Sequence, residues 1–481
     1  MPLLTLTCLG LLCIVALIIF KAVTQAHASP LSQVPNAGWG AAYSRLLWAF
    51  WEEYRGNITI TLPKLHERLG PLVRIGPNEV SFYSIDVYDT VHKVNSGFVK
   101  DPRNYGEFVQ DGHPALFSIT DPGEHSKRRR ILGQLFNRSN IANLEPLMLH
   151  HVNEFVKAIG RKHGPIDVAP ACRALEADII SEFSFGQALQ AVAAWSKGEE
   201  LAIVSKNDKK ATYMPLWTHK AWVGNKDPNR KSNFPNLIKV MIAAGVPTQT
   251  ALSEAKENLG PGTDTTSASL AHILYALSHN AVYQEKLYRD LAELGFPTDM
   301  TTLENIPRLR ACVKEGIRWA GAAAAMLPRV VPQGGVELCG KFLPEGTVLT
   351  SSPIWYLRNK YAYPNPELFD PYRWIDSSAT TSTDNVLRDK FYIPFSKGAN
   401  VCIGNHFSYY EIYISLAKIL ESFKLVHGAT SNIFSHMAGL SSSDWQPVEL
   451  PERKEWVAAV LTEPLNVEAI PRKRQERKEV I

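Results

Sequence analysis

Residues 395–404 read FSKGANVCIG and set Cys402 among two glycines, a lysine and an asparagine. Placed ahead of a helical pattern, its thiolate would be stabilised by free backbone N–H groups and by the helix dipole. Gly398 and Gly404 let those N–H groups, and a flat ligand, come close. Three chemistries suit such a sulfur: a nucleophile with His406 as its base, a single axial metal ligand, or an inert cysteine beside a tight turn. Upstream, KEGIRW sets Glu315 and Arg318 three apart on one helix face, where carboxylate and guanidinium can pair and jointly hold a third group. In PGTDTT, residues 261–266, Thr263 and Asp264 suit a helix N-cap, and Pro261 implies a helix that begins or kinks there.

The elements that carry these residues are mostly helical. Apolar residues at i, i+3 and i+4 predict helices through 124–184, and further helices are expected at 263–280, 282–294, 309–319 and 407–422. LVRIGPNEVSFY reads as strand, turn and strand around Gly76-Pro77-Asn78, with short strands again at 336–351. The stretch 187–260 reads as loop-rich, without a sustained period. Helices first, then short strands, the Cys402 loop and a last helix, predict a mainly α fold with a minor β part.

Leu3 to Phe20 carry no charge, and as a helix would span about 27 Å, near the hydrocarbon thickness of a bilayer. The run exceeds a signal-peptide core and no Lys or Arg precedes it, which favours an uncleaved anchor over a signal peptide cut after AHA at 26–28. Lys21 and Arg45 after the run favour a cytoplasmic body, for which the sequons at Asn57 and Asn137 are irrelevant. HASPLSQVPNAGWG then reads as a linker.

A formal charge of +4 gives no reason to expect nucleic-acid binding, and the six cysteines form no C-x-x-C pair or zinc spacing. The basic PRKRQERKEV near the C-terminus reads as a solvated tail. Length alone would suggest roughly two to four domains.

Taken together, these motifs resemble the cytochrome P450 family. FSKGANVCIG is similar to the family's haem loop, F-x-x-G-x-R-x-C-x-G, at Phe395, Gly398, Cys402 and Gly404, and departs from it at Asn400, where the family has a propionate-binding Arg. Glu315 and Arg318 match the family's E-x-x-R, with Arg373 in FDPYRW as the third member. PGTDTT resembles the A-G-x-[DE]-T-T segment of the oxygen-binding helix, with Pro261 in place of a small residue; by that resemblance Asp264 and Thr265 relay protons to iron-bound dioxygen. His125 and Arg129 in EHSKRRR, and Arg329 in LPRVVP, match the family's propionate partners.

The resemblance spans nearly the whole chain and looks most like fungal microsomal members. It implies a membrane anchor at 1–21, a Pro/Gly linker at 22–42 and one haem-thiolate domain at 43–481, overruling the multi-domain prior. It also implies heme b with Cys402 as axial ligand and a monooxygenase acting on a lipophilic small molecule in secondary metabolism. Electrons would come from NADPH through a cytochrome P450 reductase, since no dinucleotide-binding motif is visible. The protein would sit in the endoplasmic reticulum membrane by a single pass, its catalytic domain facing the cytoplasm. By family position Phe108, Phe117, Met326 and Leu327 line the pocket, and Lys127, Arg128, Arg130 and Lys397 offer a basic docking face. Alternatives on the same fold are an isomerase, dehydratase or ring-forming oxidase, and a haem-binding inactive relative.

Overall fold

The computed structural model describes residues 2–199, 236–375, 382–427 and 445–472. Helix α1 (Pro2–Ala28) is long and apolar enough to cross a membrane from Leu9 to its end. It continues into the segment read as a linker. Arg74 donates a hydrogen bond to the Ala26 carbonyl, and Leu31, Val34 and Ala41 are buried, so 22–42 is packed against the body instead of forming a loose spacer.

A five-stranded sheet follows the anchor. It comprises β1 (Leu72–Gly76), β2 (Glu79–Phe82), β3 (Val99–Lys100), β5 (Arg329–Val330) and β6 (Val348–Thr350), in the order β1-β2-β6-β5-β3. β1 and β2 form the expected hairpin, Leu72 opposite Phe82. β3 and β5 pair antiparallel with Lys100 opposite Arg329, which brings two cations face to face. A second sheet joins β4 (Ile166–Asp167), β7 (Phe423–His427) and β8 (Asn466–Pro471) in the order β7-β8-β4.

Eight helices position the site: α2 (Ile85–His92), α3 (Pro122–Phe136), α4 (Glu145–Ile159), α5 (Val168–Phe185), α6 (Thr248–Ser278), α7 (Ala281–Glu293), α8 (Pro307–Ala320) and α9 (Asn405–Ser422). Asp121 caps α3, its side chain accepting from Glu124 N–H, with Pro122 at the first helical position. Asp167 caps α5 in the same way. Sequence reasoning placed the start of α6 too late: it begins at Thr248 and runs unbroken past Pro261, so Thr263 and Asp264 are helix-interior residues and not caps. Packing overrides the proline, because α6 lies along α5 and Gly262 approaches Ile180, where a Cβ would be only 3.1 Å from the nearest Ile180 atom.

The largest core cluster draws apolar residues from α3 to α9, including Phe155, Phe183, Leu274, Leu287, Trp319 and Tyr410. Gly316 on α8 allows the closest approach, since a Cβ there would fall 2.0 Å from Ile273 Cγ1 on α6. The stretch expected to be loop-rich includes a helix at Leu237–Ala243 and the first turns of α6; residues 200–235, and the basic tail from 473 onward, lie outside the described residues.

Candidate active site

The Cys402 loop is closed by its own backbone: Cys402 N–H donates to the Phe395 carbonyl at 2.9 Å. Gly398 has φ +69°, and a Cβ there would lie 1.7 Å from the His92 carbonyl oxygen, so only glycine lets the loop pass the end of α2. The sulfur lies deep in the fold yet keeps accessible surface, so it borders a cleft. Burial pushes its thiol up, opposed by the Gly404 N–H and by Arg129. Among the described residues no hydrogen bond joins the His406 ring to Cys402; the His406 backbone N–H donates to Asn405 Oδ1.

Around this cleft the chain gathers cations. Arg129 and His125 come from α3, Lys100 from β3 and Arg329 from β5. Lys100 Nζ donates to the carbonyls of Leu116 (3.1 Å) and Phe117 (2.8 Å), and Arg329 Nη1 donates to Tyr105 Oη (2.7 Å) and the Pro328 carbonyl (3.0 Å). Among the described residues no carboxylate pairs directly with Lys100, Arg129 or Arg329. Burial, with Arg329 and Arg129 nearby, lowers Lys100 to about 7, although Glu257 and Glu254 pull it up. Burial, Lys100, Arg129 and Arg329 lower His125 to about 4. His92, stacked on Tyr88, is buried with neither ring nitrogen hydrogen-bonded among the described residues.

Buried like charges of this kind are costly unless an anion joins them. A haem carries two carboxylates, so the donor set fits that group: a sulfur for the iron, cations for the propionates, and a loop whose glycine clears the backbone beside it. Lys100 and His92 were not found from sequence. The signal for Lys100 was a lysine inside the strand-like FVK, but its partner in the ladder lies far along the chain at Arg329.

Glu315, Arg318 and Arg373 meet in the interior. Arg318 donates Nε to Glu315 Oε2 (2.8 Å) and Nη2 to Oε1 (2.7 Å), and Arg373 Nε reaches Oε1 at 3.2 Å. The same carboxylate accepts from Asp370 N–H and Trp374 Nε1, while Arg318 also donates to the carbonyls of Leu357, Pro366 and Leu368. Despite complete burial, Arg318 and the other donors hold Glu315 below the ordinary carboxylate range.

On α6, Asp264 pairs with Arg173 of α5 at 2.6 Å, and Thr265 Oγ1 donates to the Pro261 carbonyl at 2.9 Å. Thr266 Oγ1 and Ser408 Oγ share a hydrogen bond of 2.9 Å that ties α6 to α9 beside the Cys402 loop. A cavity of about 240 Å³ is lined by Phe108, Phe117 and Met326, with Tyr105, Thr350 and Val457; Leu327 is not part of the lining and instead donates its N–H to the Ser351 carbonyl. Three of the four cations expected to form a docking face are engaged within the chain: Lys127 with Glu124, Arg128 with Glu254 and Lys397 with Asp89.

Comparison with known proteins places these features in context. The sequence model of the cytochrome P450 family matches residues 226–442. Cytochrome P450 monooxygenase macH of Penicillium terrestre is 28% identical over 84% of this chain and 89% of its own length. Cytochrome P450 monooxygenase orf2 of Aspergillus niger is 25% identical over 87% and 91%, respectively. Conidiogenone synthase PchP450 of Penicillium rubens is 27% identical over 85% and 90%.

Proposed function

The chain belongs to the cytochrome P450 family, and from that premise we propose that it is a haem-thiolate monooxygenase that oxidises a lipophilic small molecule in fungal secondary-metabolite biosynthesis. The observation that carries the reading is the set of cations gathered around the cleft of Cys402, buried Lys100 and Arg329 with half-buried Arg129, none of which has a directly paired carboxylate among the described residues. When bound, haem supplies activation of dioxygen and transfer of one oxygen atom, its character set by the axial thiolate.

The chain's part is to bind and position. Cys402 would hold the iron, Arg129 and the Gly404 N–H favouring its charged form. Lys100, His125, Arg129 and Arg329 would bind the propionates, the role that Asn400 leaves unfilled. Lys100 keeps its proton more readily once a carboxylate is beside it, because an opposite charge raises an amine's pKa. Phe395, Gly398 and Gly404 shape the loop under the ring. Glu315, Arg318 and Arg373 hold α8 to the 365–374 segment. Thr265, whose hydroxyl donates to the Pro261 carbonyl, would offer its oxygen as a hydrogen-bond acceptor at the cleft and so pass a proton along, and Asp264, paired with Arg173, would exchange protons with solvent. Phe108, Phe117 and Met326 would give the substrate an apolar wall.

We assign residues 43–481 to one catalytic unit, carried on the 1–21 anchor, with 22–42 packed against it. The expected setting is the endoplasmic reticulum membrane with the body in the cytoplasm, and the electron source is an NADPH-dependent reductase. The test is the reduced, carbon-monoxide-bound spectrum of membranes holding the full chain, beside Cys402→Ala. A long-wavelength Soret band that depends on Cys402 supports the reading. Its absence from folded wild-type protein would leave an inactive relative as the better account.

A further inference from the structure

Two buried carboxylates on α6 are not used by the chemistry above. Glu254 and Glu257 lie one turn apart, and both face the 115–118 turn. Leu116 N–H donates to both oxygens of Glu254, at 2.9 and 3.0 Å. Glu257 Oε1 accepts from the N–H groups of Phe117 (2.9 Å) and Ser118 (3.2 Å), and its Oε2 accepts from Ser118 Oγ at 2.7 Å. Three successive backbone amides are therefore satisfied by side chains of a distant helix. The same helix stripe continues upstream, where Ser253 Oγ donates to the Gln110 carbonyl at 2.9 Å.

The other side of the turn faces the site. The Leu116 and Phe117 carbonyls receive Lys100 Nζ, and the Phe117 ring lines the cavity while packing on Tyr105 and Phe108, each with ring centroids 5.1 Å apart. Glu254 also accepts from Arg128 at 2.6 Å, and the next residue on α3 is Arg129 of the cation group. One short turn thus has carboxylates on its amides, a propionate-side cation on its carbonyls and an aromatic side chain in the cavity.

We propose that Glu254 and Glu257 are positioning residues that fix this turn, and through it set both the cavity wall at Phe117 and the place of Lys100. This rests on the monooxygenase reading only for what occupies the cavity. Four backbone contacts to carboxyl oxygens hold the turn. Burial raises both acids, Glu257 to about 7, and such bonds are among the stronger ones in proteins where the acceptor is ionised. Loosening them moves Phe117 and Lys100 together.

The experiment uses the full chain with Glu257→Ala, Glu257→Gln, Glu254→Ala and, as a control for lost stability alone, Leu287→Ala in the core. Hydrogen exchange of the Leu116, Phe117 and Ser118 amides should quicken by about tenfold or more in the alanine variants, because each charge-assisted bond lost is on that scale. Glu257→Gln, which keeps one carbonyl acceptor, should recover part of the protection, and Leu287→Ala should leave these amides unchanged relative to the rest of the chain. In the haem-loaded protein, 4-phenylimidazole, whose phenyl group would reach the Phe117 wall on the monooxygenase reading, should lose about tenfold in affinity relative to imidazole, which lacks that group. Wild-type exchange rates in Glu257→Ala would overturn the proposal whether or not haem is present. Faster exchange with an unchanged ligand ratio would also overturn it, leaving the carboxylates as simple struts. Absence of a haem spectrum in the wild type would instead overturn the monooxygenase reading, with the exchange arm still deciding the clamp.

Discussion

Two regions of this molecule bury charge in opposite ways. Around Glu315, every charge has its partner within the chain: two guanidinium groups, an indole N–H and a backbone N–H converge on one carboxylate. Around Lys100 and Arg329, the chain sets like charges opposite each other in a sheet, and among the described residues their hydrogen-bond partners are all neutral oxygens, with Glu254 and Glu257 acting on Lys100 only from a distance. The first arrangement is complete and is a scaffold. The second, on the reading proposed above, is completed by an added anion, and the difference would then separate a part of the fold that holds itself from a part that holds something else.

The largest effect should come from breaking the complete region. Glu315→Gln leaves Arg318 buried and short of a counter-charge, and removing one partner of a buried pair costs about 3–5 kcal/mol. The expected outcome is little soluble protein, with any that remains cleaved rapidly in limited proteolysis. A Glu315→Gln protein with wild-type protease resistance would mean that the carbonyls of Leu357, Pro366 and Leu368 suffice for Arg318, and the contrast would fail on its stronger side.

The open region should respond in another currency. Arg329→Met removes one of two opposed cations, so the urea midpoint should change little, while transfer of haem to apomyoglobin should speed about tenfold for the loss of one charge-assisted contact. Haem transfer at the wild-type rate would show that Lys100, Arg129 and His125 carry the propionates alone. A large fall in the urea midpoint would show that Arg329 belongs to the scaffold, by way of Tyr105 and the Pro328 carbonyl.

How much of this was legible in the sequence follows from the range of each interaction. Glu315 and Arg318 are three apart on one helix, and Gly398, Cys402 and Gly404 sit in one loop, so each group was visible locally, and the family resemblance singled it out from its blander readings. Lys100 meets Arg329 only because β5 carries its partner across the sheet, and nothing in FVK announces that. The start of α6 was misplaced for a related reason. Gly260-Pro261-Gly262 is a helix-breaking signal locally, but contact along α5 carries the helix through it. The 22–42 segment reads as a linker by composition, whereas Leu31 and Val34 are buried in one apolar cluster with Leu72, Phe82 and Leu343.

A third buried arrangement sharpens the contrast by giving it a pH axis. Glu176 on α5 and Glu411 on α9 are fully buried and face each other, and no donor from elsewhere among the described residues reaches either carboxylate. Only a shared proton lets them form a hydrogen bond, and burial pushes Glu176 up to about 8 and Glu411 well above its ordinary value. A carboxyl raised in the folded state binds its proton more tightly there than in the unfolded chain. Its contribution to stability is therefore full below the ordinary carboxylate range and is lost as pH rises toward and past about 8. Glu315, held below that range, behaves in the opposite sense: its contribution is present above it and is lost on acidification. Thermal midpoints of the wild type should fall on the alkaline side, and Glu176→Gln, which can donate to Glu411 without a shared proton, should flatten that limb and raise the midpoint at pH 8.5 by about 3 °C. An unchanged alkaline limb would mean that the pair does not hold a proton in this range. Because α9 carries Glu411 and begins just after Cys402, a limb that does flatten should be matched by slower alkaline loss of the thiolate-dependent Soret band.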